Sequence, residues 1–429
     1  MRRSKNRLNL KKDSFIYDIL YTAVGQFGVM IIALLINKLI SHYLQPSEFA
    51  IFSIANKTAS VLAFLMLLGL GIAVPRYIAS VRAKKDIKSE ANTFYTASIL
   101  MVVAIIVVSL VVVASKDTLA RLVFGDINRS DLIIPTLLFA IGITISSFVY
   151  AYFRGIDKFK QYSMLQIAFQ IVNLAIVVYA GSHLASQLTM RGLTIMTLSI
   201  IAIFYIVHTT YKSIPVIKER IAHTSKGLLA YCLPRVPGEV FLFSFTVLPL
   251  VIINSRFGLH STAAFATSVT LTSIVTPLFQ FVGTALLPCV SKNLAIGETD
   301  GIQSKVKKLR IIYLSIAILS AIFIWLFTDL IITLLFNKTY VQFSDVVRIV
   351  YLSVIPYSLY LLLRNPLDAI SKIPFNTFSL GISLGVLVIA VATLKDAYQC
   401  AFAFVGAYLI LGVLSEISWR SQQKRKIKR

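Results

Sequence analysis

Apolar residues fall in twelve long runs, roughly 14–44, 48–80, 91–115, 132–153, 161–181, 192–211, 228–255, 261–291, 309–336, 344–367, 375–394 and 398–418. A run of about 20 residues, rising 1.5 Å per residue as a helix, crosses the roughly 30 Å hydrocarbon core of a bilayer. The pattern therefore predicts an all-α polytopic membrane protein with twelve transmembrane helices, its polar residues gathered into short connections. The longest connections, near 116–131, 212–227 and 292–308, hold about 16 residues and leave no room for a soluble catalytic domain.

Composition agrees. Of 429 residues, 57% are hydrophobic and 14% charged, more apolar surface than a soluble core of this size could bury. The first run is about 30 residues long with no small-residue cleavage site, so a retained helix is expected in place of a cleaved signal peptide. The net charge of +24, from 42 Lys+Arg against 18 Asp+Glu, would suit nucleic acid if the basic residues formed a patch. They lie instead in alternate short connections and at both ends: 32 on one side of the expected membrane, 8 on the other, with Lys38 and Lys57 inside helices. Positive charge concentrates on the cytoplasmic side, so both termini are expected there and nucleic acid is not an expected partner.

No GxxxxGK[ST] or GxGxxG pattern occurs, which argues against nucleotide hydrolysis and for a protein that is not an enzyme. His42, His183, His208, His223 and His260 lack metal-ligand or haem spacing, so no metal or cofactor is expected. Cys232, Cys289 and Cys400 sit in or beside different apolar runs and read as packing residues. A shift of 213 residues aligns Ala50, Phe52, Ser60, Leu65 and Pro75 with Ala263, Phe265, Ser273, Leu278 and Pro288, and a shift of 210 aligns Arg154 with Arg364. Two six-helix halves, 1–213 and 214–429, are expected to form bundles around a central cavity, the second half carrying a basic cytoplasmic tail. Because six is even, both halves enter from the same side and an axis along the membrane normal relates them.

Polar residues at membrane depth are costly and mark functional positions. Asp18, Thr22, Gln26 and Asn37 share one face of the first run. Lys57 lies about 13 Å inside the outer end of the second, either facing a cavity or else snorkelling to an interface or pairing with a neighbouring helix; Lys38 is shallower and reads as an interface anchor. In the LPRVPGE segment, Pro234, Pro237 and Gly238 interrupt a helix, and Arg235 and Glu239 are four apart on one face. That spacing fits a self-neutralising pair beside a kink, or a hinge with ionisable groups on a transport path. Tyr360 with Arg364, and Gln166, Gln170 and Asn173, extend the polar set; Arg154 and Arg364 read equally as inner-end anchors. Gly381 and Gly385 form a GxxxG packing motif, span 8 carries a Ser/Thr ladder, and Trp325 and Trp419 are expected at membrane interfaces.

The segments HYLQPSEFAIFSIANKTAS, LLGLGIAVPRYIAS, YFRGIDKF and LPCVSKN, set in a six-plus-six layout, resemble the polysaccharide-transport branch of the MOP superfamily, and within it Wzx-type O-antigen or oligosaccharide-lipid flippases. The resemblance spans nearly the whole chain. It implies a flippase carrying an undecaprenyl-diphosphate-linked oligosaccharide across the bacterial inner membrane by alternating access. Lys57, Arg235, Glu239, Gln26, Arg154 and Arg364 are then expected to contact the lipid-linked oligosaccharide. Glu239 or Asp18 is expected to couple transport to an H+ or Na+ gradient. Membrane lipids surround such a protein, and a polysaccharide polymerase and chain-length machinery are the partners it implies. The competing reading is a multidrug or organic-cation exporter of the same superfamily.

Overall fold

The computed structural model describes residues 24–427 except 213, 215–217, 296–298 and 371–373; the side chains of residues 83, 218–220, 235, 278, 280–302, 305, 368–369 and 423–427 also lie outside the description. Asp18 and Thr22, expected on the first span, fall outside it. Among the described residues the chain forms helices and no strand, as the twelve runs predict.

Helix α1 spans Val24–Tyr43. The second run is broken: α2 (Pro46–Leu67) and α3 (Leu70–Ala83) meet at Leu68 and Gly69, both left-handed with φ of 51° and 73°. Helix α4 (Ile87–Ala114) is capped by Asp86, whose carboxylate accepts the Ser89 amide at 3.0 Å. A short amphipathic helix, α5 (Lys116–Phe124), ends at left-handed Gly125 and is followed by α6 (Ile133–Gly155), α7 (Phe159–Ala180) and α8 (Leu184–Ile206). Helix α9 (Lys218–Cys232) stops before Pro234, and a 3-10 turn over Leu233–Arg235 leads into α10 (Val236–Ala295). Proline cannot donate the next helical hydrogen bond, which is why the interruption falls there. Gly258, with φ 78°, divides α10 in two, and its 60 residues are length enough for two crossings.

Then follow α11 (Thr299–Leu335), α12 (Ser344–Tyr351), α13 (Val354–Ile370), α14 (Phe375–Thr393) and α15 (Ala397–Ile427); α12 and α13 are bent by 45° and make one broken span. Ten described helices are long and apolar enough to cross a membrane, or eleven with that pair. Division at Gly258 brings the count to the expected twelve.

Two compact units emerge, residues 1–36, 59–116 and 130–236 in the first, and 37–58, 117–129 and 237–429 in the second. The first packs around Phe94, Phe148, Tyr152 and Tyr211. Its tightest crossing joins α6 to α8: a carbon built on Gly142 would lie 2.7 Å from the Gly192 carbonyl oxygen, and one on Gly192 2.6 Å from the Phe139 amide nitrogen. Only hydrogen side chains permit that approach, the small-residue packing of membrane helices. In the second unit Gly381 receives the Phe241 ring, whereas Gly385 faces open space, so half of the GxxxG motif makes the expected contact. Trp325 is 48% exposed, in keeping with an interfacial position, but Trp419 is only 2% exposed and belongs to the core. Cys232 and Cys400 are buried free thiols.

Candidate functional site

In the first unit, α7 presents Tyr162, Gln166, Gln170 and Asn173 at spacings of 4, 4 and 3, which stack along one helical face. Helix α1 reaches that face because Gly25 lies against Ser163, too close for any Cβ, with a built carbon only 2.5 Å from the serine's own. The neighbouring Gln26 amide donates to the Gln166 carbonyl oxygen at 3.0 Å and to the Tyr162 hydroxyl at 3.2 Å. From α6, the Arg154 guanidinium donates to the Gly71 carbonyl at 3.1 Å and lies 5.7 Å from the centre of the Tyr162 ring. Gly71 sits just past the α2–α3 break, so Arg154 ties α6 to α3. Two expected site residues, Gln26 and Arg154, thus both neighbour Tyr162, one at its hydroxyl and one over its ring.

Further along the same seam, Asn173 donates to Gln170 at 3.2 Å and accepts from the Arg191 Nε at 3.4 Å. Arg191 is 6% exposed, with its guanidinium 4.5 Å from the Phe139 ring centre. Arg191 stands inside α8, one residue before the Gly142–Gly192 crossing. Its spacing of four from buried Gln187 was the signal available for an inward face. The first unit also buries Glu90, 3% exposed, which accepts from Arg82 at 3.1 Å and from the Tyr211 hydroxyl at 2.9 Å.

In the second unit, Glu239 and Arg364 form an ion pair joining α10 to α13, with side chains 13% and 22% exposed. The sequence spacing suggested Arg235 as the neighbour of Glu239; Arg364 is the partner present, and the Arg235 side chain lies outside the described residues. Helix-to-helix contact here depends on Gly238, where an added carbon would fall 2.6 Å from the Thr377 hydroxyl oxygen. The Asn376 side chain donates to the Arg364 carbonyl at 2.9 Å, anchoring the helix that carries the arginine. A buried pair of this kind is neutral overall, so it offers neither a free anion nor a free cation to a ligand.

Lys57, also in the second unit, sits half-buried in α2. No carboxylate lies within 4.0 Å of its ammonium among the described residues. Lys38 behaves differently, donating to the Leu334 and Thr333 carbonyls at the end of α11, which agrees with an anchoring role. The Ser/Thr ladder of span 8 bonds largely to its own helix, Thr272 to Val269 and Thr276 to Thr272. Among the described residues no group of three or more His, Cys, Asp or Glu could hold a metal ion.

The family model described as polysaccharide biosynthesis protein matches residues 15–294, well over half of the chain. The chain belongs to that family. A second model, MatE, matches residues 238–394 of this polysaccharide biosynthesis family member. Among curated proteins none matches its sequence.

Solved structures reproduce the fold. A multidrug-resistance MATE family transporter of the MOP superfamily, in an inward-facing conformation, aligns with a TM-score of 0.76 at 12% identity over 92% of this chain and 94% of its own. A MOP superfamily transporter from Pyrococcus furiosus, described as having a binding pocket of reversed polarity, aligns at 0.71 and 13% identity over 96% and 95%. The outward-facing form of a multidrug-resistance MATE transporter aligns at 0.71 and 13% identity over the same shares. The family member therefore has the fold of these MOP superfamily transporters.

Proposed function

We propose that this transporter is a flippase that moves an undecaprenyl-diphosphate-linked oligosaccharide from the cytoplasmic to the outer leaflet of the bacterial inner membrane. Two six-helix halves, 1–213 and 214–429, alternate access to the cargo, and both termini lie in the cytoplasm. The observation that carries this reading is the charge balance at membrane depth: Lys57 has no carboxylate partner among the described residues, while Glu239 is neutralised by Arg364. A diphosphate cannot enter hydrocarbon without cations to replace its water and counterions, and a lysine with no carboxylate partner among the described residues supplies one. The Gln26, Tyr162 and Gln166 group offers amide and hydroxyl partners suited to sugar hydroxyls. Protonation of Glu239 would release Arg364 for the diphosphate, which links an ion gradient to cargo binding; Asp18 is the second coupling candidate. Polymerase and chain-length machinery consume the product on the far side.

The test is deletion of the gene and complementation with Lys57→Ala and Arg235→Ala. Lipid-linked glycan should accumulate on the cytoplasmic face in the deletion and in both variants at normal protein level, with Lys57→Arg restoring export. Wild-type export by Lys57→Ala and Arg235→Ala would remove both residues from the site. The MatE match over 238–394 favours a second reading, export of an organic cation. Under it the deletion leaves lipid-linked glycan unchanged and raises sensitivity to cationic drugs.

A further inference from the structure

Several contacts within the second unit join segments from opposite sequence halves, and all of them lie at the end of the molecule that the charge pattern assigns to the outer side. The Lys38 ammonium, near the end of α1, donates to the Leu334 and Thr333 carbonyls where α11 stops at Leu335. The Tyr340 hydroxyl donates to the Leu44 carbonyl at 3.2 Å. Beside them, Phe49 at the start of α2 packs edge-on against Phe336 and Tyr340, with ring centres 5.7 and 5.4 Å apart. All three rings are at most 2% exposed.

A second contact runs in the opposite sense. Asn254, near the outer end of the first part of α10, donates to the Phe124 carbonyl at 2.6 Å where α5 stops. Left-handed Gly125 leaves that carbonyl open, since a side-chain carbon there would lie 3.3 Å from the Asn254 amide nitrogen. The two contacts fall at roughly corresponding places in the internal repeat, within three residues of the 213 shift. A shift of 210, the one that aligns Arg154 with Arg364, carries Phe124 onto Leu334, and a shift of 216 carries Lys38 onto Asn254. Each half thus uses a polar side chain at the end of its first span to cap a helix C-terminus of the other half.

Carbonyls at a helix C-terminus have no intrahelical partner, so a cation or amide satisfies them when the mouth is closed and water can do so when it opens. Water returns only part of what each cap supplies, so the two caps bias the mouth toward closure without locking it, and the aromatic cluster must also be exposed for the halves to part. Lys57 follows Phe49 by eight residues, about 12 Å further along α2 and about 80° around it.

We propose that Lys38–Leu334 and Asn254–Phe124 form a two-point latch, with the Phe49, Phe336 and Tyr340 rings packed beside the first point as a plug, holding the outer mouth shut while cargo loads from the cytoplasmic side. The proposal rests on the reading of the protein as an alternating-access transporter and is independent of which cargo it carries.

The experiment uses the full chain in cells, with Cys232, Cys289 and Cys400 replaced by alanine. A Ser53→Cys reporter, one turn inward of Phe49 and 6% exposed in the closed state, is treated with a membrane-impermeant maleimide from outside. An Asn128→Cys reporter, on the exposed turn after α5, is the control. Lys38→Gln with Asn254→Ala should raise the labelling rate at the Ser53→Cys reporter roughly tenfold, the population shift expected from losing two caps, and leave the control unchanged. Tyr340→Phe, which removes one oxygen and keeps the ring, should give a smaller rise in the same direction and serves if the double variant fails to fold. An unchanged rate in folded variants overturns the latch, as does a control reporter reached only from the cytoplasm. Normal gating with no accumulation of lipid-linked glycan on gene deletion would instead overturn the cargo alone.

Discussion

Glu239 and Arg364 provide the most direct check on how charge is held inside the second unit. Removing one member of a fully buried pair costs about 3–5 kcal/mol, and an exposed pair is worth about 0–1 kcal/mol. With side chains 13% and 22% exposed, this pair falls between the limits, so Glu239→Gln and Arg364→Gln should each lose about 2 kcal/mol. The double variant should lose less than the sum, by about 1–2 kcal/mol, because neither charge is then stranded. At about 1 °C per kcal/mol for a chain of this length, each single substitution should lower the melting temperature of the purified protein by roughly 2 °C. Differential thermal unfolding in a fixed detergent, run on all four proteins of the cycle, reads the coupling. Strict additivity, or single variants that melt with the wild type, would refute an energetically coupled pair. A transport assay on the same proteins separates roles: Glu239→Gln should bind anionic cargo without coupling it to the gradient, and Arg364→Gln should lose affinity.

Other substitutions test the first unit. Gly192→Val should cost about 3 kcal/mol or prevent membrane insertion, since its new carbon meets backbone that cannot rotate away; expression and monodispersity in detergent measure it. Tyr211→Phe takes one of two donors from the Glu90 carboxylate and should destabilise the protein by about 1.5–3 kcal/mol, seen as a lower melting temperature. Gln26→Ala removes two hydrogen bonds between α1 and α7 and should reduce glycan export more than stability, with Gln26→Asn failing to rescue because its side chain is one methylene shorter; equal loss of both would mark Gln26 as purely structural.

Long apolar runs made the helices readable because bilayer thickness sets their length independently of packing. Breaks were legible only where residue chemistry forces them. Pro234 stops a helix on its own account, whereas Leu68–Gly69 depends on what lies opposite, and Phe159–Ala180 gives no hint that α1 will dock on it through Gly25. The same limit governs the charges. Spacing of four links Glu239 to Arg235, whose side chain lies outside the described residues, and gives no sign of the described ion pair with Arg364, 125 residues away, because pairing across helices is settled by tertiary packing. Arg191 shows the same limit: its burial depends on the tight α6–α8 crossing beside it.

Gly69 adds a mechanical point. A carbon at that position would lie 3.3 Å from the Cys232 carbonyl oxygen, so the bend before α3 rests directly on the end of α9. Two knuckles from distant parts of the chain thereby share one bearing surface. Neither can flex without pushing on the other, and a bulkier residue at 69 should be tolerated best when the opposing segment around Cys232 is loosened by a second change.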